Sequence, residues 1–313
     1  MTQRVLISGS VAYDTIMVFE GHFKDHILPD RVHMLNVSFL APRMKREFGG
    51  CAANIAYNLK GLGGSPVVLA TVGRDAGDYL ARLRSQGIDT AHVKTLDDHY
   101  TAQAFITTDL ADNQINAFHP GAMAQAHTVS ARDALPAAFG IVAPNGKEAM
   151  LTHARQFREA GVPFVFDPGQ GLPMFDGEEL RGLIGAATAV AVNDYESSML
   201  SERTGWSEEE IAARVEALIV TLGAEGAQVW SGGTRTAIPP CAVAAPVDPT
   251  GCGDAFRGGL LHGRSLGWDW VASARLGSTM GALKIEHQGA QNHPIVLDEV
   301  AARHEAAYGT RPW

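Results

Sequence analysis

A seven-residue stretch toward the C-terminus, DPTGCGD at 248–254, combines residue types that suit phosphoryl chemistry. Gly251, Cys252 and Gly253 can turn successive backbone N–H groups toward one point, which makes a site for an anion. The apolar run AFRGGLLHG follows and predicts a helix whose N-terminus directs a partial positive charge at the same point. Asp254 would lie beside the bound anion, where a carboxylate can take a proton from a hydroxyl group. The alternative is that Asp254 only caps the helix, a common role for aspartate.

Composition and charge narrow the classes of protein to consider. The chain has 313 residues, of which 46% are hydrophobic and 19% charged, with a net charge of −9. This describes a globular protein without a basic stripe, so nucleic acid and membrane surfaces are poor candidate partners. No apolar run is long enough to cross a bilayer. Three cysteines without a CxxC pair are typical of reduced thiols, and no signal peptide pattern precedes the first strand, so we expect a cytoplasmic protein.

Several common catalytic motifs are absent from the sequence. There is no GxxxxGK[ST] string for a P-loop, no GxGxxG after the first strand, no HExxH and no GxSxG. A P-loop nucleotide site, a dinucleotide site, a zinc site and a serine hydrolase are therefore all disfavoured.

Alternating strand and helix patterns predict an α/β fold. The predicted strands are 5–10, 66–73, 140–144, 163–169 and 189–194, and the predicted helices are 49–63, 76–87 and 147–161. The segment 217–230 continues the pattern, and the chain from 252 onward is predominantly helical. Repeated units of this kind form a mostly parallel sheet with helices on both faces. We expect a single domain over residues 1–313.

Two stretches, about 11–48 and about 92–120, interrupt this pattern. They contain β-branched and aromatic residues without helical periodicity, and we expect them to form antiparallel strands of a small lid. The lid would cover the C-terminal edge of the main sheet, where open α/β sheets bind their ligands. Because a second subunit can cover the strand edges of such a lid, a homodimer through the lid is a further expectation.

Two motifs together resemble the signatures of a known family. DPTGCGDAFRGGLL resembles the C-terminal signature of the ribokinase-like (PfkB) sugar and nucleoside kinases, and FGGCAANIAYNLKGLGG at 48–64 resembles the N-terminal one. The segments GSVAYD, DPG, NDYE and VTLGAEGA occur in the family's order, so the resemblance covers essentially the whole chain. Cys252 and Pro249 replace the usual Ala and Thr, which should leave the backbone amides in place. The resemblance implies a ribokinase-like fold and ATP-dependent phosphoryl transfer.

The resemblance also assigns roles to individual residues. Asp254 matches the general base, and Gly251, Cys252 and Gly253 match the anion hole. The positions that hold the hydroxyl groups of the sugar are matched by Asp14, Gly50 and Asn54. The positions of the nucleotide site are matched by Asn193, Thr221, Gly223 and Gly226.

Two further segments match cation sites of the family. Glu196, in the motif NDYE, matches a residue that helps to organise Mg²⁺, and we expect it to act through water. On its own, NDYE would fit a helix cap equally well. The segment 286–293 resembles a loop that in relatives closes the adenine pocket and can bind a monovalent cation such as K⁺ through carbonyl groups.

The lid sequence bears on the identity of the acceptor. TAQAFITTDLADNQINAFHPGAM at 101–123 resembles the lid of bacterial and archaeal nucleoside and adenosine kinases. The amides of Gln103, Gln114 and Gln170 could read the edge of a nucleobase. Phe118 could stack on a base or belong to the core. No arginine cluster around the lid suits a second phosphate on the acceptor.

The sequence thus predicts an ATP-dependent nucleoside kinase of adenosine-kinase type that phosphorylates the 5′-hydroxyl. Two alternatives stay open. One is a ribokinase or other free-sugar kinase with the same base and anion hole. The other is a non-catalytic binding protein of the same fold, which would have no use for Asp254.

Overall fold

The computed structural model describes residues 3–27 and 36–313. Its strands are β1 (Arg4–Ser8), β2 (Ala12–Val18), β3 (Arg43–Gly49), β4 (Ser65–Gly73), β5 (Val93–Leu96), β6 (Ala102–Thr108), β7 (Gln114–His119), β8 (Phe139–Val142), β9 (Phe164–Phe166), β10 (Ala189–Asn193), β11 (Ala217–Thr221), β12 (Ala227–Ser231) and β13 (Thr234–Ile238). Its α-helices are α1 (Cys51–Gly61), α2 (Gly77–Ser85), α3 (Lys147–Glu159), α4 (Gly177–Ala186), α5 (Asp194–Thr204), α6 (Glu208–Ala212), α7 (Cys252–Ser265), α8 (Trp270–Ile285) and α9 (Leu297–Tyr308). Among the described helices, none is long and apolar enough to span a membrane.

The main sheet has nine strands in the order β13-β12-β11-β10-β9-β8-β1-β4-β5. All neighbouring pairs from β11 to β5 are parallel, and the hairpin β11-β12-β13 adds two antiparallel strands at one edge. The central strands are buried along their whole length, as expected for a sheet that is covered on both faces. The predicted α/β fold with a mostly parallel sheet is confirmed.

Helices cover the two faces of this sheet in separate groups. One core joins apolar residues of α1, α2, α7 and α8 to the sheet. The second core joins α3, α4, α5 and α6 to the opposite face. Because the strands are parallel, the loops that follow β1, β8, β9, β10 and β11 all emerge at the same edge of the sheet.

A second sheet of four strands, in the order β3-β2-β6-β7, forms the lid. The strands β2 and β6 pair in parallel, whereas the sequence pattern suggested antiparallel pairing. The reason is that β2 and β6 follow β1 and β5, two parallel strands that leave the main sheet at the same edge. The strand β5 itself pairs with β4 in the main sheet, so the lid strands of the segment 92–120 begin at Ala102. Residues 28–35 of the first predicted lid segment lie outside the described residues.

Two adjacent glycines bring α7 into close contact with its neighbours. A Cβ atom on Gly258 would lie 2.5 Å from the Cβ of Asn58 on α1. A Cβ on Gly259 would lie 2.8 Å from the backbone of Gly277 on α8. The helix α7 therefore packs backbone against backbone on both sides, and this packing fixes where its N-terminus points.

Candidate functional site

A cavity of about 970 Å³ lies at the carboxyl edge of the main sheet and collects most of the predicted phosphate and nucleotide residues. The predicted site residues that line it are Gln170, Asn193, Glu196, Thr221, Gly223, Gly226, Gly251, Cys252, Gly253 and Asp254. They come from the loops after β9, β10 and β11 and from the N-terminus of α7. Predicted residues that are far apart in the chain, from Gln170 to Asp254, thus line one cavity.

Asp254 does not cap α7. The cap position is Gly251, which has a φ of 80°, and Asp254 lies in the first turn. Its carboxylate accepts a hydrogen bond of 2.8 Å from Asn54 Nδ2. Burial raises the pKa of Asp254 to about 7, with a further increase from the negative charge of Asp167 and an opposing effect of the Asn54 hydrogen bond. A carboxyl group with such a pKa suits a general base at neutral pH.

Asn54 connects the proposed base to a residue that the sequence did not reveal. Its Oδ1 accepts a hydrogen bond of 2.9 Å from Gln291 Nε2, and the same nitrogen donates to Tyr79 Oη at 2.7 Å. Asn54 is 4% exposed and Gln291 2%. The amide of Asn54 is therefore held between Gln291 and Asp254, so its orientation toward the carboxylate is fixed. Gln291 belongs to the segment 286–293 that was expected near the nucleotide.

The glycine-rich loop before α7 packs tightly on the segment 286–293. A Cβ on Gly251 would lie 2.7 Å from the Cβ of Ala290, and its positive φ also favours glycine.

Burial raises the pKa of the Cys252 thiol to about 11. This thiol is neutral at physiological pH, so we interpret Cys252 as a small residue that lines the cavity and not as a nucleophile.

The motif NDYE serves as a helix cap and also lines the cavity. Asn193 Oδ1 accepts a hydrogen bond of 2.7 Å from the Glu196 backbone, and Glu196 Oε2 accepts one of 2.8 Å from the Asn193 backbone. Burial and the nearby Asp167 raise the pKa of Glu196. Both interpretations of the motif are thus compatible, because one Glu196 oxygen completes the cap and the other accepts no hydrogen bond from the described residues.

Arg257 is a cavity-lining residue that sequence reasoning missed. It is 4% exposed, and its Nε and Nη2 donate to the carboxylate of Asp167 at 3.1 and 3.4 Å. Its Nη1 lies 3.8 Å from where a Cβ on Gly253 would be, so the third nitrogen is close to one residue of the predicted anion hole. Although burial opposes it, the carboxylates of Asp167 and Glu196 hold the pKa of Arg257 above its usual value. The signal in the sequence was its spacing, one helical turn after Asp254.

The residues predicted to hold the acceptor lie mostly outside this cavity. Of the six, only Gln170 belongs to the described lining. Asp14 lies on the lid strand β2, where burial and the neighbouring Glu47 raise its pKa to about 6. A Cβ on Gly49 would lie 2.5 Å from Asp14 Oδ2, so this glycine makes room for the carboxylate. Gly50 has a φ of 90° and approaches the backbone of Ala12 closely.

The register of the lid sheet separates the two lid glutamines. Paired residues of neighbouring strands share a face, which places Asp14, Ala104 and Phe118 on one face. Gln114 lies on that same face, because it pairs with Thr108, which pairs with Val18. Gln103 pairs with Tyr13 and lies on the opposite face, where its amide donates to Thr15 Oγ1. The structure therefore brings Gln114 and Phe118 to the Asp14 face but not Gln103.

Comparison with known proteins agrees with this geometry. The model of the pfkB family of carbohydrate kinases matches residues 3–296. The chain belongs to that family. It is 52% identical to the nucleoside kinase of Burkholderia thailandensis, whose complex with inosine superposes with a TM-score of 0.89, covering 98% of this chain and 99% of that one. A complex of the same protein with ADP-inosine gives 54% identity and a TM-score of 0.87 over 98% and 97% of the two chains.

A more distant relative extends the comparison. The nucleoside kinase of Methanocaldococcus jannaschii is 29% identical over 277 residues, which are 86% of this chain and 89% of that protein. The predicted membership of the ribokinase-like family and the predicted ATP-dependent kinase activity are confirmed.

Proposed function

We propose that this protein transfers the γ-phosphoryl group of ATP to the 5′-hydroxyl of a nucleoside. The observation that carries the proposal is the position of Asp254, a partly buried carboxyl with a raised pKa in a cavity lined by the predicted nucleotide residues. Relatives that are nucleoside kinases support nucleosides as the substrate class, and one of them, 52% identical, binds inosine. The ribokinase alternative has weaker support, since two of the similar ribokinases are 21 and 22% identical.

In this proposal, Asp254 takes the proton of the acceptor hydroxyl while the hydroxyl oxygen attacks the γ-phosphorus and ADP leaves with the bridging oxygen. Asn54 holds the carboxylate toward the acceptor, and the pKa of about 7 leaves a substantial fraction ionised at neutral pH. Phosphoryl transfer depends mainly on positioning and on electrostatic stabilisation of the transition state. Since the base adds to these terms, its removal should slow transfer without abolishing nucleotide binding.

The N-terminus of α7 stabilises the negative charge of the phosphoryl group during transfer. The donors are the backbone amides of Gly251, Cys252 and Gly253. We assign the same task to Arg257, whose Nη1 lies near Gly253 while Asp167 fixes the rest of the guanidinium. A guanidinium oriented in this way does not need to reorganise during the reaction. Arg257 therefore contacts the phosphoryl group in this assignment, and Asp167 is a positioning residue.

Asn193, Thr221, Gly223 and Gly226 bind the nucleotide in this scheme, at the carboxyl ends of β10 and β11. No group of three or more His, Cys, Asp or Glu side chains in residues 3–27 and 36–313 could hold a metal ion. Mg²⁺ commonly keeps several waters and takes one or two carboxylates together with substrate phosphates. The Glu196 oxygen that accepts no hydrogen bond from the described residues would help to hold such an ion, through water, and the ion would neutralise charge on the phosphates.

The nucleoside is placed between Asp254 and the lid. Asp14 accepts hydrogen bonds from the sugar hydroxyls, and Gly50 lets the ring approach the backbone. Phe118 and Gln114, on the Asp14 face of the lid, contact the base together with Gln170. Phe118 is 56% exposed, which leaves its ring available for stacking.

We further propose that a second copy of the chain covers the other face of the lid. The face opposite Asp14 exposes Met44, Phe105 and Ile115, at 70, 39 and 43%. Its outer strand β7 is exposed along its whole length. Exposed apolar side chains on a sheet with open edges are typical of an interface. Light scattering after gel filtration should give twice the chain mass, and Ile115→Glu should return the protein to a monomer.

The reaction is tested with purified protein, ATP and Mg²⁺, and with adenosine, inosine, guanosine, cytidine, ribose and fructose as separate acceptors. Release of ADP is the measurement. We expect turnover with nucleosides and none with ribose or fructose. Turnover only with a free sugar would overturn the nucleoside assignment. No turnover with any acceptor would favour a binding protein.

Free thiols and the use of ATP also lead us to place the kinase in the cytoplasm, which cell fractionation can check.

A further inference from the structure

Lys284, near the C-terminal end of α8, is completely buried, with 0% of its surface exposed. Burying an ammonium group away from water is unfavourable unless other polar groups surround it. Lys284 lies beside the anion hole and not within the apolar core. We therefore expect its ammonium group to have a role in the site.

Three oxygen atoms lie close to the ammonium nitrogen. Lys284 Nζ donates hydrogen bonds to the backbone carbonyl oxygens of Asp248 at 2.6 Å and His287 at 3.2 Å. The carboxylate of Asp248 lies 3.9 Å from Nζ. Backbone carbonyls and a carboxylate at the end of a helix are also the oxygen ligands that a hard metal cation takes.

The same residues belong to the glycine-rich loop and to the segment 286–293. Asp248 begins the glycine-rich loop, and His287 lies in the segment 286–293, for which the family resemblance implies a K⁺ site. The carbonyls of both already accept hydrogen bonds from Nζ. A K⁺ ion at these oxygens would lie within a few ångströms of a second positive charge in a buried site. The residues present therefore do not fit a K⁺ ion.

We infer that the Lys284 ammonium group is a tethered monovalent cation that replaces K⁺ and holds the anion-hole loop in place. Asp248 then connects Lys284 to the loop. The Asp248 carboxylate accepts hydrogen bonds from the backbone of Gly289 at 2.8 Å and of Thr250 at 2.9 Å, and from Gln288 Nε2 at 2.9 Å. Gly251 follows directly and packs on Ala290. Lys284 is thus a positioning residue, separated from the reacting atoms by the loop that it fixes.

The pKa values of Asp248 and Lys284 are both affected by their buried surroundings. Although burial opposes it, hydrogen bonds from Gly289 and Thr250 hold the pKa of Asp248 below its usual value. Burial lowers the pKa of Lys284, and the negative charge of Asp248 counteracts this. The Asp248 carboxylate and Lys284 Nζ lie 3.9 Å apart.

The test compares the wild type with two variants in potassium chloride and in choline chloride at equal ionic strength. Lys284→Ala removes the charge and leaves room for an ion, whereas Lys284→Met removes the charge and keeps the volume filled. Lys94→Ala, at an exposed lysine, is the control. We measure kcat with the best nucleoside and, independently of activity, the thermal unfolding temperature and the affinity for MgADP.

We expect the wild type and Lys94→Ala to give the same values in both salts. Lys284→Ala should lose about 10²-fold in kcat, as for a misplacement of about 1 Å, and K⁺ should restore much of this loss. K⁺ should also raise its unfolding temperature and its affinity for MgADP. Lys284→Met should show the loss without rescue. A purely structural lysine would give loss in both variants and rescue in neither, which contradicts the inference.

If both variants fail to fold, measurements on the wild-type protein alone still test the inference. A severalfold K⁺ dependence of its kcat, unfolding temperature or MgADP affinity would overturn the inference, and equal values in both salts support it. The inference rests on the proposed function only for kcat. If no nucleoside is phosphorylated, the proposed function fails, while unfolding and MgADP binding still test the tethered cation.

Discussion

The phosphate side and the acceptor side of the site are built differently. On the phosphate side, the loops after β9, β10 and β11 and the N-terminus of α7 are held by buried ion pairs and by close helix packing. On the acceptor side, the lid is a four-stranded sheet with an exposed edge strand and partly exposed apolar side chains. In our proposal, the main domain organises the chemistry in advance, and the lid determines the choice of acceptor.

The largest effect is expected at the proposed base. Asp254→Asn should keep the hydrogen bond from Asn54 but cannot accept the hydroxyl proton, so kcat should fall about 10²- to 10⁴-fold. The affinity for MgADP, measured by calorimetry, should change little. Asp133→Asn, at an exposed site, is the control. Near-full turnover of Asp254→Asn would remove Asp254 from its proposed role.

A second large effect is expected from the arginine on the phosphate side. Arg257→Met should lower kcat about 10²- to 10³-fold, the loss typical for one donor to a developing charge. It also leaves the buried Asp167 unpaired, so it should lower stability as well.

The double variant Asp167→Asn/Arg257→Met separates these two causes. It also removes the buried charge of Asp167, so urea unfolding should recover much of the lost stability while kcat stays low. If kcat recovers together with stability, Arg257 has only a structural role.

On the acceptor side, the effect should appear in KM. Phe118→Ala removes a stacking surface and should raise the KM for the nucleoside about tenfold, with the KM for ATP unchanged. Gln103→Ala, on the opposite face, should stay within about twofold. The reverse result, a large change for Gln103 and none for Phe118, would contradict the assignment of the lid faces. Steady-state kinetics at saturating ATP measures both.

The smallest effect concerns the packing that aims α7. Gly258→Ala would place a Cβ 2.5 Å from that of Asn58 and 3.2 Å from the Leu59 backbone nitrogen, and should destabilise the fold by about 1–3 kcal/mol. Gly182→Ala is the matched control in α4. A Cβ there meets nothing within 4 Å, so this variant should gain about 0.5–1 kcal/mol. Urea unfolding measures both, and equal effects would show that the contact with α1 is unimportant.

The two sides also differ in how well the sequence predicted them. On the phosphate side, contiguous motifs carry the information, so the sequence alone predicts site residues between Asn193 and Asp254. Arg257 and Lys284 were missed because their partners, Asp167 and the Asp248 carbonyl, are 90 and 36 residues away in the chain. Only the fold brings such groups together.

The lid was predicted as strands, but its register was not. The face on which Gln103 lies follows from its pairing with Tyr13, and that pairing depends on the parallel contact of β2 with β6. A shift of one residue would exchange the two faces, and no local sequence signal determines it. The assignment of the acceptor residues therefore required the structure.

The central claim is that Asp254, with a pKa of about 7, acts as the base. The most direct test is the pH dependence of kcat/KM for adenosine at saturating MgATP, from about pH 5 to about pH 9. Protonation removes the base, so kcat/KM should fall about tenfold per pH unit below 7 and be level above it. A profile that stays flat through pH 7 and down to pH 5 would contradict the account.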